Sequence, residues 1–435
     1  MELRVPDAAD VLHGQDVPAV ADAPTAIAEA LANPIGSPPL AELLKATTPR
    51  TVAVTVSDIT RPVPNREFLP AVLAVLNRAG VADSRVVIVI GTGMHRPSTP
   101  AERDTIVGRD IERRVEVIDH TADRPQTLVK VRDGADGRPP VFVNRRFAEA
   151  DFRICTGYIE PHFMAGFSGG RKGVCPAMVD LATINGFHGY ETLAHPLADN
   201  GILEGNPCHE IALEVARTVG VDFLLNVAIT RDRRIAGVYC GDLEAAHVAG
   251  CRQVAEWTTA PLDGTYDLVI TNGGGYPLDL TFYQTVKGMV TALPALGEQS
   301  TLLQVSACRE QLGSRAYHDL MLRWHGDWHC FLADLAAHPD RTELDQWQFQ
   351  MQCKVLARIG PEKLLFVTDG IAGPLQKSLA VTPVLGAGDA QARAQRAIDE
   401  YLAAHPGARV AVLPDGPYTM LKRHEQPADA VSVRA

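Results

Sequence analysis

Val52-Ala-Val-Thr-Val56 runs straight into Ser57-Asp58-Ile59-Thr60-Arg61-Pro62-Val63-Pro64, and Val86-Val-Ile-Val-Ile90 into Gly91-Thr92-Gly93-Met94-His95-Arg96. These two junctions decide the fold. Each apolar run is continuous rather than alternating, so both faces of the strand are buried, as in a parallel sheet covered by helices. Leu268–Ile270 before Thr-Asn-Gly-Gly-Gly275, Leu302–Val305, Leu364–Val367 and Val410–Leu413 read the same way. Between them lie mostly Ala/Leu-rich segments with apolar residues three and four apart: Pro24–Ala32, Glu67–Ala79, Ala212–Val219, Leu243–Trp257 and Ala390–Ala404. That spacing predicts helices. The alternation predicts an α/β fold with Rossmann-like, mostly parallel sheets flanked by helices. At 435 residues, two domains are expected. The expected boundaries are 1–258 plus 390–435 for an N-terminal cofactor-binding domain and 265–385 for a C-terminal one. Residues 258–265 serve as linker, and a second crossing falls near 383–389. In such sheets ligands sit at the carboxyl ends of strands, where most of the polar motifs fall.

The formal net charge of −11 disfavours nucleic acid and anionic membranes as partners. A small anion would have to be held by a local cluster of Arg, Lys and helix N-termini. The eight cysteines form no C-x-x-C pair, which argues against a zinc ribbon or thioredoxin-like site and suits reduced thiols in a cytoplasmic protein. The first fifteen residues carry acidic side chains and no apolar core run, so no signal peptide is expected. No apolar stretch of about 18 residues occurs, so no membrane span is expected.

Six motifs carry candidate chemistry. After the first strand, Asp58, Thr60 and Arg61 stand on a loop stiffened by prolines; Arg61 suits a carboxylate through its planar fork. After the second, His95 sits at the tip of a Gly-rich loop that fails the dinucleotide fingerprint, because Arg96 occupies its last position. The richest stretch is Gly157-Tyr-Ile-Glu-Pro-His162-Phe-Met-Ala-Gly166-Phe-Ser168-Gly169-Gly170-Arg171-Lys172-Gly173-Val-Cys-Pro176. It offers backbone N–H groups for a phosphate, with a helix expected to open at Pro176. It is no Walker loop, since Arg171 and Gly173 replace required residues. His188, in Asn185-Gly-Phe-His188-Gly, is a candidate metal ligand or a hydrogen-bonded turn residue. Tyr283, Gln284 and Lys287 share one helix face, suited to a hydroxy acid, with the carboxylate on Lys287 and the hydroxyl on Gln284. Trp347 covers a planar ring or packs in the core. Taken singly, each motif also has a plain structural explanation.

Together, in this order and spacing, the six pieces resemble the lactate racemase family, over about residues 50–350. His162, Lys172 and His188, and Tyr283-Gln284-x-x-Lys287, carry the likeness. The resemblance implies a nickel-pincer nucleotide: nickel held by a pyridinium-3-thioamide-5-thiocarboxylate mononucleotide, covalently linked to Lys172. On the same basis, His188 is the protein ligand to nickel, and His95 and His162 are paired general acid/bases. Asp58, Ser168, Gly169 and Trp347 hold the cofactor; Arg61, Tyr283, Gln284 and Lys287 bind substrate. The implied activity is racemisation of lactate or another short 2-hydroxy acid by proton-coupled hydride transfer, in a cleft between the domains. Alternatives are a racemase or epimerase for malate, longer or aromatic hydroxy acids or aldonates, and a non-catalytic cofactor-binding protein. Cofactor-maturation enzymes would be transient partners; the oligomeric state is not readable.

Overall fold

A computed structural model describes residues 1–135 and 138–423. The chain divides into two compact units. The first comprises residues 16–257 and 338–347, the second residues 1–15, 258–337 and 348 onward.

The first unit is built on a six-stranded sheet. Its order from one edge is Glu116–Asp119, Val86–Gly91, Val52–Ser57, Phe152–Tyr158, Phe223–Ile229 and Ile235–Gly241. All neighbours are parallel except the last, antiparallel pair. Val52–Val56 and Val86–Ile90 are buried throughout, as their unbroken β-branched runs require. Helix Asn65–Arg78 buries Phe68, Leu69, Val72, Leu73 and Leu76, one stripe at helical spacing, into the core shared with Val54, Ile88 and Ile154. Chain order reverses beside Val52–Ser57, so a crevice opens outside the carboxyl ends of that strand and Phe152–Tyr158. Residues 58–64 and 159–173 leave the sheet at these two ends.

The second unit has its own six-stranded parallel sheet: Asp10–Val11, Val410–Val412, Tyr266–Asn272, Leu296–Val305, Leu364–Val367 and Thr382–Pro383. Chain order again reverses, between Val410–Val412 and Tyr266–Asn272. Helix Ala390–Ala404 buries Ala394, Ala397 and Ile398 with Leu268, Ile270 and Leu303.

The α/β class and every strand and helix named from the pattern are present, with ends shifted by a few residues. Four expectations are corrected. Residues 1–15, expected in the N-terminal domain, belong to the second unit, and residues 338–347, expected in the C-terminal one, belong to the first. Residues 390–423 complete the second unit, because Val410–Val412 takes its hydrogen-bond partners from Leu268–Ile270; residues 424–435 of that expected segment lie outside the described residues. Residues 258–265 are not simply a linker: Thr259–Leu262 is a strand paired in parallel with Met420–Arg423. No helix opens at Pro176; its peptide bond with Cys175 is cis, and the next helix is Leu181–Phe187, capped by Asp180. Among the described residues no helix is long and apolar enough to cross a membrane.

Candidate active site

The first unit gathers most of the expected residues at its sheet's carboxyl edge. Asp58 follows the strand Val52–Ser57 and is buried, with 8% of its surface exposed. Its Oδ2 lies 2.6 Å from His95 Nδ1, and Thr60 donates to Oδ1 through its hydroxyl (2.6 Å) and its backbone N–H (3.2 Å). A carboxylate only accepts, so His95 carries its proton on Nδ1 and its Nε2 lone pair faces outward from the pair. Burial works against the Asp58 charge, yet the His95 and Thr60 hydrogen bonds and the Arg61 charge hold its carboxyl below the usual range. Asp58 is thus bonded to both His95 and Thr60. The His95 loop is fixed from behind. Thr92 donates to the His120 carbonyl at 2.7 Å, and the Gly93 N–H to that of Ala177 at 3.0 Å.

Arg61 approaches Glu160, Nε to Oε1 at 3.7 Å. The same oxygen accepts from the Ser168 hydroxyl at 3.1 Å, and Tyr158 donates its phenol to Oε2. Glu160 thus joins the Arg61 loop to the Gly-rich loop. In the sequence Glu160 is marked only as the one acid inside an otherwise basic and glycine-rich stretch.

His162 lies in a two-residue strand paired with Gly166–Phe167. Its Nδ1 accepts from the backbone N–H groups of Met164 (3.4 Å) and Ala165 (3.3 Å). The neutral ring therefore bears its proton on Nε2, which lies 3.5 Å from Lys172 Nζ. Lys172 stands on the 3-10 turn Gly170–Gly173 and lies 5.1 Å over the Phe187 ring. Burial, then the charges of Arg171 and Arg61, push its amine down to about 7. Near neutral pH a large share of it is an uncharged, nucleophilic amine.

His188 caps the helix Leu181–Phe187 and stacks on Trp347, with centroids 4.3 Å apart and planes at 21°. Its Nδ1 donates to the Ile184 carbonyl at 2.9 Å, which leaves the Nε2 lone pair unused by that bond. Burial and the Lys172 charge lower its pKa to about 3, so it stays neutral. Trp347 is 2% exposed, so its core and ring-stacking roles coincide. Among the described residues no three His, Cys, Asp or Glu side chains converge as a metal site.

Ser168 and Gly169 form the crest of the Gly-rich loop. Gly169 has φ +77°, and a Cβ there would meet Asn226 Oδ1 at 2.6 Å. Its N–H has no hydrogen-bond partner among the described residues.

Tyr283, Gln284 and Lys287 belong to the second unit, on helix Phe282–Thr291. Thr281 caps it by accepting from the Gln284 N–H. The helix sits directly on the strand end: a Cβ at Gly288 would collide with the Asn272 carbonyl. Tyr283 packs edge-on against Tyr317. Gln284 Oε1 is buried with no hydrogen-bond partner, a vacant acceptor of the kind a ligand hydroxyl would fill.

Comparison with known proteins identifies the family. Residues 1–201 match the family model "Lactate racemase N-terminal domain", and residues 263–420 match "Lactate racemase C-terminal domain". The chain is 34% identical over 393 residues to the lactate racemase of Lactiplantibacillus plantarum, covering 90% of this chain and 89% of that protein. It is 31% identical over 390 residues to that of Thermoanaerobacterium thermosaccharolyticum, covering 90% and 88%. The lactate racemase apoprotein structure from the latter organism superposes with a TM-score of 0.86 at 28% identity, covering 97% of each chain. A Thermotoga maritima protein shares the fold, with a TM-score of 0.68 at 16% identity, covering 95% of this chain and all of that one.

Proposed function

The chain belongs to the lactate racemase family and is a racemase, an isomerase; on that premise we propose that it interconverts the enantiomers of a short 2-hydroxy acid, lactate first, using a nickel-pincer nucleotide attached to Lys172. The observation that carries the reading is local. A near-neutral Lys172 amine stands 3.5 Å from one imidazole, His162. It also lies 5.1 Å over the Phe187 ring, which meets edge-on a second imidazole, His188, stacked on Trp347.

The residues fit the cofactor. Lys172 offers an amine able to form a thioamide. His188 presents one nitrogen lone pair, and a ligand set of soft sulfurs plus one imidazole suits nickel. Trp347 backs the His188 ring, and the Gly169 N–H offers a donor to a phosphate. When bound, such a cofactor supplies the hydride acceptor that no side chain provides.

The protein's own part is binding and proton transfer. Arg61, oriented by Glu160, takes the substrate carboxylate; Lys287 adds a second positive charge and Tyr283 a phenol. Gln284 adds an amide on the same helix face. The two enantiomers direct the substrate hydroxyl to opposite sides of a fixed carboxylate, so one imidazole is needed on each flank. His95, with Nε2 open and Nδ1 tied to Asp58, is set to take the hydroxyl proton. His162, with a proton on Nε2, is set to donate toward the oxygen from the other side. Transient maturation enzymes deliver the cofactor.

The test is intact-mass and metal analysis of protein co-expressed with the cofactor-making enzymes, followed by an enantiomer-resolved assay over lactate and larger 2-hydroxy acids. The expected result is an adduct on Lys172, one nickel per chain, and interconversion of D- and L-lactate. A fully active protein lacking the adduct, or an active Lys172→Ala variant, would refute the reading.

A further inference from the structure

Behind the Gly-rich loop lies a charged group that the reaction does not use. Arg171 is 1% exposed, yet among the described residues no carboxylate pairs with it. Its Nη2 donates to the Ala165 carbonyl at 2.6 Å and its Nη1 to that of Phe167 at 2.9 Å; its Nε has no partner. His247 stands beside it, with Nε2 at 2.9 Å from the Ser168 carbonyl and 3.2 Å from Arg171 Nη1. The carbonyl only accepts and the guanidinium only donates, so the ring nitrogen serves one of them at a time. Gly170 lies between; a Cβ there would come within 2.5 Å of the His247 ring. A buried cation with no counter-charge is expensive, and such groups persist where they serve function.

The geometry assigns that service. A trans peptide directs its C=O and N–H to opposite sides. With the Ser168 carbonyl turned inward to His247, the Gly169 N–H is turned outward, on the loop's other face. We propose that Arg171 and His247 are positioning residues, a buried brace that gathers the carbonyls of Ala165, Phe167 and Ser168 so that the Gly169 N–H and Lys172 face the phosphate and ring of a pyridinium mononucleotide. The unneutralised guanidinium adds positive potential beneath that phosphate without touching it, in a chain whose formal net charge is −11. This rests on the cofactor reading above, but the brace itself is a property of the apoprotein.

Arg171→Lys, His247→Gln and His247→Leu separate the possibilities. Lysine keeps the charge but cannot fork between two carbonyls. Glutamine keeps an N–H for the Ser168 carbonyl; leucine does not. Three readouts apply: calorimetric binding of nicotinate mononucleotide to the apoprotein, the fraction of co-expressed chains carrying the Lys172 adduct, and hydrogen exchange of residues 163–173. For Arg171→Lys and His247→Leu, nucleotide affinity and adduct fraction should each fall at least about tenfold, with faster exchange confined to the loop. His247→Gln should stay within about threefold of wild type. A split between Gln and Leu at equal thermal stability is not what a purely structural role would give. Wild-type loading and affinity in Arg171→Lys or His247→Leu would overturn the proposal. If Arg171→Lys does not fold, the His247 pair decides. If the wild type itself carries no adduct, the cofactor reading fails, and loop exchange alone decides the brace.

Discussion

Each proposed acid/base owes its state to a neighbour rather than to itself. His95 donates Nδ1–H to Asp58 at 2.6 Å, while His162 accepts two backbone N–H groups at Nδ1. Asp58→Asn should therefore lower kcat by about a hundredfold or more with KM little changed, because an amide N–H facing Nδ1 would place the proton on Nε2. Steady-state rates in both directions check this. Lys172 makes a prediction in pH. Its folded-state amine is lowered, chiefly by burial, from 10.5 to about 7. Between those values the unfolded chain holds a proton that the folded chain lacks, so this group's contribution makes stability rise with pH across that window. Lys172→Met removes the cost. In urea unfolding, the apoprotein variant should be more stable than wild type at pH 7, by on the order of 3 kcal/mol, with the gain shrinking toward pH 10. An equal gain at both ends would contradict it.

Elements bring these residues to their posts through close backbone contacts. The helix Phe282–Thr291 lies against the end of strand Tyr266–Asn272 only because position 288 has no side chain. Gly288→Ala should force the helix off the strand, costing about 2 kcal/mol or more by thermal unfolding. Because Lys287 and Gln284 ride on that helix, KM for lactate should rise more than kcat falls. A silent substitution would show that the helix has slack the geometry does not suggest. In the first unit a pair of two-residue strands and a 3-10 turn place His162, Ser168 and Lys172, and the Ala177 carbonyl accepts from the Gly93 N–H of the His95 loop.

Across the whole molecule, chain order and spatial order part company. Residues 1–15 precede the first unit but belong to the second, where Asp10–Val11 pairs in parallel with Val410–Val412 and Asp10 accepts from the Tyr266 hydroxyl at 2.8 Å. Removing residues 2–15 should destabilise the second unit by about 2 kcal/mol. Hydrogen exchange should then quicken in Val410–Val412 while Val52–Ser57 and Val86–Gly91 stay protected. Quickened exchange in those two strands would show that the first unit depends on this segment.

The sequence by itself determined the elements and the family. Period and burial are written locally: Val52–Val56 and Val86–Ile90 can only be strands covered on both faces, and the order of His95, His162, Lys172, His188 and Lys287 marks the family. Tertiary structure decided which groups meet. Asp58 with His95, Glu160 with Arg61, Arg171 with His247, and strand Val410–Val412 in the second unit are contacts between residues far apart in the chain. A side chain's partner depends on how strands are ordered in a sheet, and hydrogen-bond pairing across such distances leaves no periodic trace in the residues themselves.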